Sequence, residues 1–175
     1  MAVLQRIREF FIFPLEDSAE IIPAPATTYE IRTLTINHLK EVWKLNQRCF
    51  KNGENYPRYT LSYLLTEPNT LSYSIVSAKG QMVGFVFITV QEGTGHITTI
   101  GVAPEHRRRG LARRMLIFAE DALRKRDIST LCLEVRVGNV TAQNLYRELD
   151  YTIMQRLTNY YTNGEDGFLM VKGLM

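Results

Sequence analysis

The stretch that decides the fold is Ile97-Thr98-Thr99-Ile100-Gly101-Val102-Ala103-Pro104-Glu105-His106-Arg107-Arg108-Arg109-Gly110-Leu111-Ala112-Arg113-Arg114-Met115. Its first six residues, small or β-branched, predict a strand. A basic turn follows, and then Met115, Leu116, Ala119, Ala122 and Leu123 recur at helical spacing, with Glu120, Arg124 and Lys125 placed to face water. A strand that runs through such a turn into a helix makes an anion cradle. The first helical N–H groups lack partners within the helix, the positive end of the helix dipole lies behind them, and successive N–H groups form a nest. Gly110 and the small Ala112 allow a ligand to come close to the backbone.

The rest of the chain bounds what that cradle can serve. With 175 residues, 45% of them hydrophobic and 22% charged, the composition is that of one globular domain with a substantial core. The formal net charge of +3 is concentrated between His106 and Arg114, too small an excess for a nucleic-acid protein, and no stripe of basic and aromatic residues extends Arg107-Arg108-Arg109. Cys49 and Cys132 are far apart with no ligand at metal spacing, so neither a metal site nor a disulfide framework is expected, and a reducing cytoplasm is the simplest compartment. No run is apolar enough to span a bilayer.

Residues 1–28 read as an N-terminal extension. Leu4, Ile7 and Phe11 share a helical face suited to packing on the domain, on a partner subunit or on a second copy, and Arg6, Arg8 and Glu9 interrupt any signal-peptide core. An interfacial membrane helix is the weaker alternative. Ile22 to Thr28, with Pro23 and Pro25, reads as an extended linker, so the catalytic domain is expected over 29–175.

Within it the pattern predicts a strand at Tyr29 to Thr33, a helix capped at Thr35 or Asn37 and a short helix at Thr60 to Leu65. Strands follow at Leu71 to Ala78, Gln81 to Gln91 and Gly95 to Val102, with turns at Lys79-Gly80 and Glu92-Gly93. After the helix at Leu111 come a strand (Thr130 to Val135), a helix (Thr141 to Leu149) and two strands (Tyr151 to Tyr160, Gly167 to Gly173). This is a mixed α+β layout: a mostly antiparallel central sheet with one parallel strand pair, which a ligand at the helix start would open.

Arg107-x-x-Gly110-x-Ala112 after a strand resembles the (Gln/Arg)-x-x-Gly-x-(Gly/Ala) signature of the GNAT superfamily, and the order of elements resembles that acyl-CoA N-acyltransferase fold. The resemblance implies acetyl-CoA in the turn. Acetyl transfer to an amine then needs a neutral nitrogen, a held thioester and a proton route to the departing sulfur. In Leu131-Cys132-Leu133-Glu134-Val135 the apolar residues share one sheet face and Glu134 takes the other, near the opening of the parallel pair, which suits a general base. The alternative is a salt bridge to Arg136 or another base. Tyr146 lies on a stripe with Ala142, Leu145 and Leu149, where it is either a core tyrosine or the acid that meets a thiolate of parent pKa about 8.5. His38, His96 and His106 are scattered and read as surface or turn residues. Ser129 and Cys132 have no histidine nearby in sequence, and a covalent acyl-enzyme is not required when both reactants are bound together.

A longer match decides between these readings. Leu133-Glu134-Val135-Arg136, Asn139, Ala142, Leu145-Tyr146, Asn159-Tyr160-Tyr161 and Met170 together resemble ribosomal-protein-alanine N-acetyltransferases of the RimI type, and Tyr160-Tyr161-x-Asn163-Gly164-Glu165-Asp166 is similar to protein N-terminal acetyltransferase catalytic subunits. The resemblance implies Glu134 as base and Tyr146 as acid. It implies cofactor contacts at Ile100, Gly101, Val102, Arg107, Arg108, Arg109, Gly110, Leu111, Ala112 and Asn139. The acceptor expected is a protein α-amino terminus held between Tyr56, Tyr160 and Tyr161, with a small-molecule amine as the alternative. A non-catalytic acyl-CoA-binding or nucleic-acid-binding module is disfavoured by the presence of both Glu134 and Tyr146. Two departures stand out: Leu149-Asp150-Tyr151 replaces the family's Leu-Gly-Phe, and the Lys51 to Tyr59 loop is not the usual short aromatic-Pro segment.

Overall fold

The computed structural model describes residues 21–50 and 55–175. The helical reading of Leu4 to Phe11 and the first half of the Lys51 to Tyr59 loop lie outside them. Strands β1 (Tyr29–Thr33), β2 (Thr70–Ser77), β3 (Met82–Gln91) and β4 (Thr94–Val102) pair antiparallel in chain order. Turn chemistry drives this meander: Glu92 and Gly93 both take positive φ, 49° and 76°, the conformation that closes a two-residue hairpin. Then come α3 (Leu111–Arg124), β5 (Thr130–Arg136), α4 (Val140–Glu148), β6 (Thr152–Leu157) and β7 (Gly167–Gly173), following α1 (Leu39–Cys49) and α2 (Arg58–Thr66) between the first two strands. The seven strands form one sheet in the order β1-β2-β3-β4-β5-β7-β6, with β4–β5 the parallel pair. No described helix is long and apolar enough to cross a membrane.

β2 and β3 are buried along nearly their whole length instead of alternating, because the sheet is covered on both faces. Two neighbours on β3 show the layers. A Cβ on Gly84 would lie 3.1 Å from Met115 Cε of α3, whereas Phe85 points the other way and meets Phe50, after α1, edge to face at 6.3 Å. Residues such as Ile88, Ile97, Met115, Leu116, Leu131 and Leu133 are sealed from solvent, each contributing about 1.5–3 kcal/mol of hydrophobic stabilisation.

Three details differ from the pattern-based reading. A single 3-10 turn, Ile36–His38, precedes α1, and the Thr35 N–H donates to His38 Nδ1 at 3.0 Å. β6 stops at Leu157, short of the expected Tyr160, because Asn159 turns left-handed (φ 49°) and its N–H donates to Asp166 Oδ1 at 2.8 Å. Glu120, expected to face water, is only 2% exposed. Its Oε2 accepts from Lys172 Nζ at 2.6 Å and its Oε1 from the Tyr151 hydroxyl at 3.2 Å, so β7 adds a closer countercharge to that of Arg124, 3.5 Å away on α3 itself.

Candidate active site

The site starts at a defect in the sheet. In the β3–β4 ladder Phe87 faces Thr99 and Ile88 faces Ile97, which leaves Thr98 as an extra residue, a β-bulge. The parallel ladder from β4 to β5 ends immediately before it, at His96 opposite Cys132. From there the two strands separate. Tyr56 fills the base of the gap: its side chain is 1% exposed and its hydroxyl donates to the Thr98 carbonyl at 3.1 Å, while its own carbonyl accepts from Asn46 Nδ2 at 2.9 Å. Tyr56 is thus built into the core beneath the opening. Burial first, then the charge of Glu134 and the neighbouring Tyr160, raises its pKa and keeps the phenol protonated.

Beyond the gap lies a cleft of about 660 Å³ between the turn that opens α3 and the side of α4. Val102, Arg107, Arg108, Gly110, Leu111 and Ala112 line it on one side, and Thr141, Ala142 and Leu145 on the other. Gly110 sits at φ 71° just before the helix, a conformation L side chains avoid, and a Cβ there would meet nothing within 4 Å. The glycine is needed for its backbone shape, and the space beside it is open for a ligand. A pyrophosphate fits this donor set: exposed helix-start amides, the dipole behind them and Arg108 at the rim.

Of the other expected cofactor contacts, Ile100, Gly101, Arg109 and Asn139 do not line the cleft. Ile100 and Gly101 lie deeper on β4, and a Cβ on Gly101 would collide with Phe85 at 2.9 Å, so its smallness serves packing. Arg109 turns outward. Its guanidinium donates to the carbonyls of Ala24 and Pro25 and, at 2.6 Å, to the Tyr29 hydroxyl, so the extended segment before β1 is fastened across the back of the turn instead of hanging as a linker. Tyr29 in turn bonds His106 Nδ1 at 2.9 Å; His106 lies in the turn, as expected, but is only 5% exposed. Arg107 lines the cleft, but its guanidinium bonds the carbonyls of Val102 (3.1 Å) and Cys49 (3.4 Å), locking the end of β4 to α1. Asn139 caps α4, its Oδ1 accepting from the Ala142 N–H at 3.0 Å.

At the mouth of the gap Glu134 stands on the face of β5 opposite the buried Leu131, Leu133 and Val135. Its partner is not Arg136. Glu134 Oε2 lies 2.7 Å from Nε2 of His96, the last residue of β4 that pairs with β5, both side chains being partly exposed. Sequence spacing missed this pair, since 38 residues separate them. The signal available was register: two parallel strands that flank the cofactor helix bring their equivalent positions together. The same register sets His96 beside Cys132, but the imidazole goes to Glu134. Burial and then the Glu134 charge push the Cys132 thiol up to about 11, and burial pushes Cys49 up to about 12, so neither provides a thiolate near neutral pH.

Tyr146, on α4, is 1% exposed and packs edge to face on Tyr151 at 5.7 Å. Burial raises its pKa, so it remains a donor. Tyr160 and Tyr161 follow β6 and meet each other edge to face at 5.1 Å. Among the described residues the Tyr161 hydroxyl is buried without a hydrogen-bond partner. Burial raises its pKa against the pull of Arg136, and the fields of Tyr160, Glu134 and Tyr146 add to the rise, which places it in the same neighbourhood.

A family model described as the acetyltransferase (GNAT) family matches residues 39–151. The chain belongs to that family. Its GNAT relatives include the N-terminal acetyltransferase A complex catalytic subunit NAA10 of Arabidopsis thaliana, 34% identical over 151 residues, covering 82% of this chain and 77% of the relative. An N-alpha-acetyltransferase of Sulfurisphaera tokodaii is 28% identical over 159 residues, 83% of this chain and 93% of its own. Among solved GNAT structures, the ribosomal-protein-S18-alanine N-acetyltransferase of Escherichia coli superposes with a TM-score of 0.77 at 29% identity, covering 84% and 94% of the two chains. As a GNAT acetyltransferase the protein transfers acetyl groups from acetyl-CoA to an amine. The family's glycine after Leu149 is explained as well: Asp150 holds φ 66°, a left-handed position that aspartate tolerates better than most residues.

Proposed function

We propose that this acetyltransferase acts on the free α-amino group of protein N-termini, with Glu134 as base and Tyr146 as acid. The observation that carries the reading is the Glu134–His96 pair, 2.7 Å apart at the mouth of the β4–β5 gap. An α-ammonium of pKa about 7.7–8.0 needs only a modest base to release its lone pair, whereas a lysine at about 10.4 is much harder to deprotonate near neutrality. As the new C–N bond forms at the thioester carbonyl, Glu134 takes the proton the nitrogen sheds, directly or through one water, and His96 shares the carboxylate's charge. As the C–S bond breaks, Tyr146 supplies the donor that meets the departing sulfur. Burial makes Tyr146 a weak acid, so its first contribution is a hydrogen bond to developing charge and proton transfer completes late. The turn at Arg107 to Ala112 holds the pyrophosphate of the acetyl-CoA.

Tyr160 and Tyr161 flank the acceptor, and the unpartnered Tyr161 hydroxyl is suited to a backbone group of an extended peptide. Tyr56 supports this slot from below. The names of the relatives, an N-alpha-acetyltransferase and a ribosomal-protein-alanine acetyltransferase, point the same way. A turnover panel tests the reading: peptides with free N-termini are expected to be acetylated efficiently and N-blocked lysine peptides poorly. Polyamines or aminoglycosides outperforming every peptide would overturn it in favour of a small-molecule acceptor.

A further inference from the structure

The loop that carries Tyr160 and Tyr161 is fastened to the far end of β5 by a polar cluster that the proton path does not use. Arg136 closes β5 and is only 5% exposed. Its Nη1 donates to Glu165 Oε2 at 2.6 Å and to Asn163 Oδ1 at 3.0 Å, and its guanidinium lies 3.9 Å from the centre of the Tyr161 ring. The second oxygen of Glu165 accepts from the Gly138 N–H at 3.0 Å. The approach is so close that a Cβ on Gly138 would sit 2.9 Å from Glu165 Oε1. The Val137 N–H adds a bond to the Asp166 carbonyl at 3.0 Å.

The other side of this turn belongs to the acetyl-donor half of the site. The carbonyls of Arg136 and Val137 accept from Gln143 Nε2 at 2.9 and 2.8 Å, and Asn139 caps the helix that bears Tyr146. Arg136 therefore joins the two halves, its guanidinium holding the acceptor loop and its backbone carbonyl the helix of the proposed acid. An excursion of the loop would take the Glu165 carboxylate and the Tyr161 ring away from a nearly buried cation, which is costly. That penalty restricts the loop, and Tyr161 with it, to one position.

We propose that Arg136 and Glu165 are positioning residues for the acceptor: their ion pair sets the placement of Tyr160 and Tyr161 and thereby the affinity for the incoming N-terminus. The inference rests on the acceptor reading given above. Neither residue touches the reacting atoms, so the effect falls on acceptor binding and not on acetyl-CoA. The substitution Glu165→Gln removes the charge and keeps an acceptor for the Gly138 N–H. Asn163→Ala, at an exposed position, removes one Arg136 contact with little risk to folding.

Steady-state kinetics on the full chain, varying a free-N-terminus peptide and acetyl-CoA in turn, separates the possibilities. Glu165→Gln is expected to raise peptide KM by about 10- to 100-fold, the scale of a misplaced binding group, with Asn163→Ala rising less in the same direction and acetyl-CoA KM unchanged for both. Should Glu165→Gln fail to fold, Asn163→Ala decides alone. Unchanged peptide KM, or equal rises in the two KM values as a general loss of structure would give, overturns the inference. Tyr160→Ala and Tyr161→Ala measured alongside keep the two readings apart. If those variants raise peptide KM and the cluster variants do not, the positioning role fails; if the tyrosine variants also leave it unchanged, the acceptor slot itself is wrong.

Discussion

At the residue scale, the chemistry depends on how two side chains from neighbouring strands meet. Glu134 alone on an apolar strand is ambiguous between a base and one half of a salt bridge, and its nearest basic residue in sequence, Arg136, faces the same way. In the structure Arg136 pairs with Glu165 and Glu134 with His96, so Glu134 does have a basic partner, though not the one nearest in sequence. Glu134→Gln removes the proton acceptor and keeps the shape, so kcat should fall by about 10²- to 10⁴-fold, with partial recovery at high pH as solvent supplies the neutral amine. Tyr146→Phe should lower kcat over a similar range while acetyl-CoA affinity stays near normal, and it should show no such recovery. Near-normal turnover in either variant would remove that residue from the proton path.

At the element scale, the strand, turn and helix from β4 to α3 work as a unit held from behind. The turn's arginines are largely structural: Arg107 locks it to β4 and α1, and Arg109 to residues 24–29. In the proposed cofactor site this leaves the backbone amides, the shape of Gly110 and Arg108 at the rim to receive the ligand. Gly110→Ala meets no neighbour, so its cost to the free protein is the left-handed strain alone, about 1–2 kcal/mol. Gly110→Asp adds a negative side chain in the same open space. Calorimetry should show coenzyme A binding weakened at least tenfold in Gly110→Asp, beyond the effect of alanine, because like charges then face each other in the cradle. Equal affinities for folded wild type and Gly110→Asp would move the cofactor elsewhere.

At the scale of the whole molecule, two devices hold the halves of the sheet in their relation. The Thr98 bulge lets β4 leave β5 while staying paired to β3, and the buried cluster of Glu120, Lys172 and Tyr151 ties α3 to β7 on the far side of the gap. Lys172→Met should cost about 3 kcal/mol in chemical denaturation, the low end for breaking a buried ion pair, because Arg124 remains 3.5 Å from the Glu120 carboxylate. Against a total stability of about 5–15 kcal/mol that is a large loss. The folded fraction should nevertheless keep most of its kcat, since Lys172 lies outside the proposed proton path and the Tyr151 ring, which packs on Tyr146, is left in place.

The sequence by itself determined the order of elements, the sheet with one parallel pair and the family, because these follow from local periodicity, turn residues and a short motif whose glycine answers to a backbone angle. It also singled out Glu134 from strand alternation, which is a property of a single segment. What it could not show are relations between segments distant in the chain. The bulge at Thr98, the pairing of His96 with Glu134, the turning away of Arg109 and the burial of Tyr56 and Glu120 all depend on which strand or helix arrives opposite, and at what register. A hydrogen bond across 38 residues has no local signature. Its partners become neighbours only when the helix between them folds back on the sheet, so the tertiary structure alone decided them.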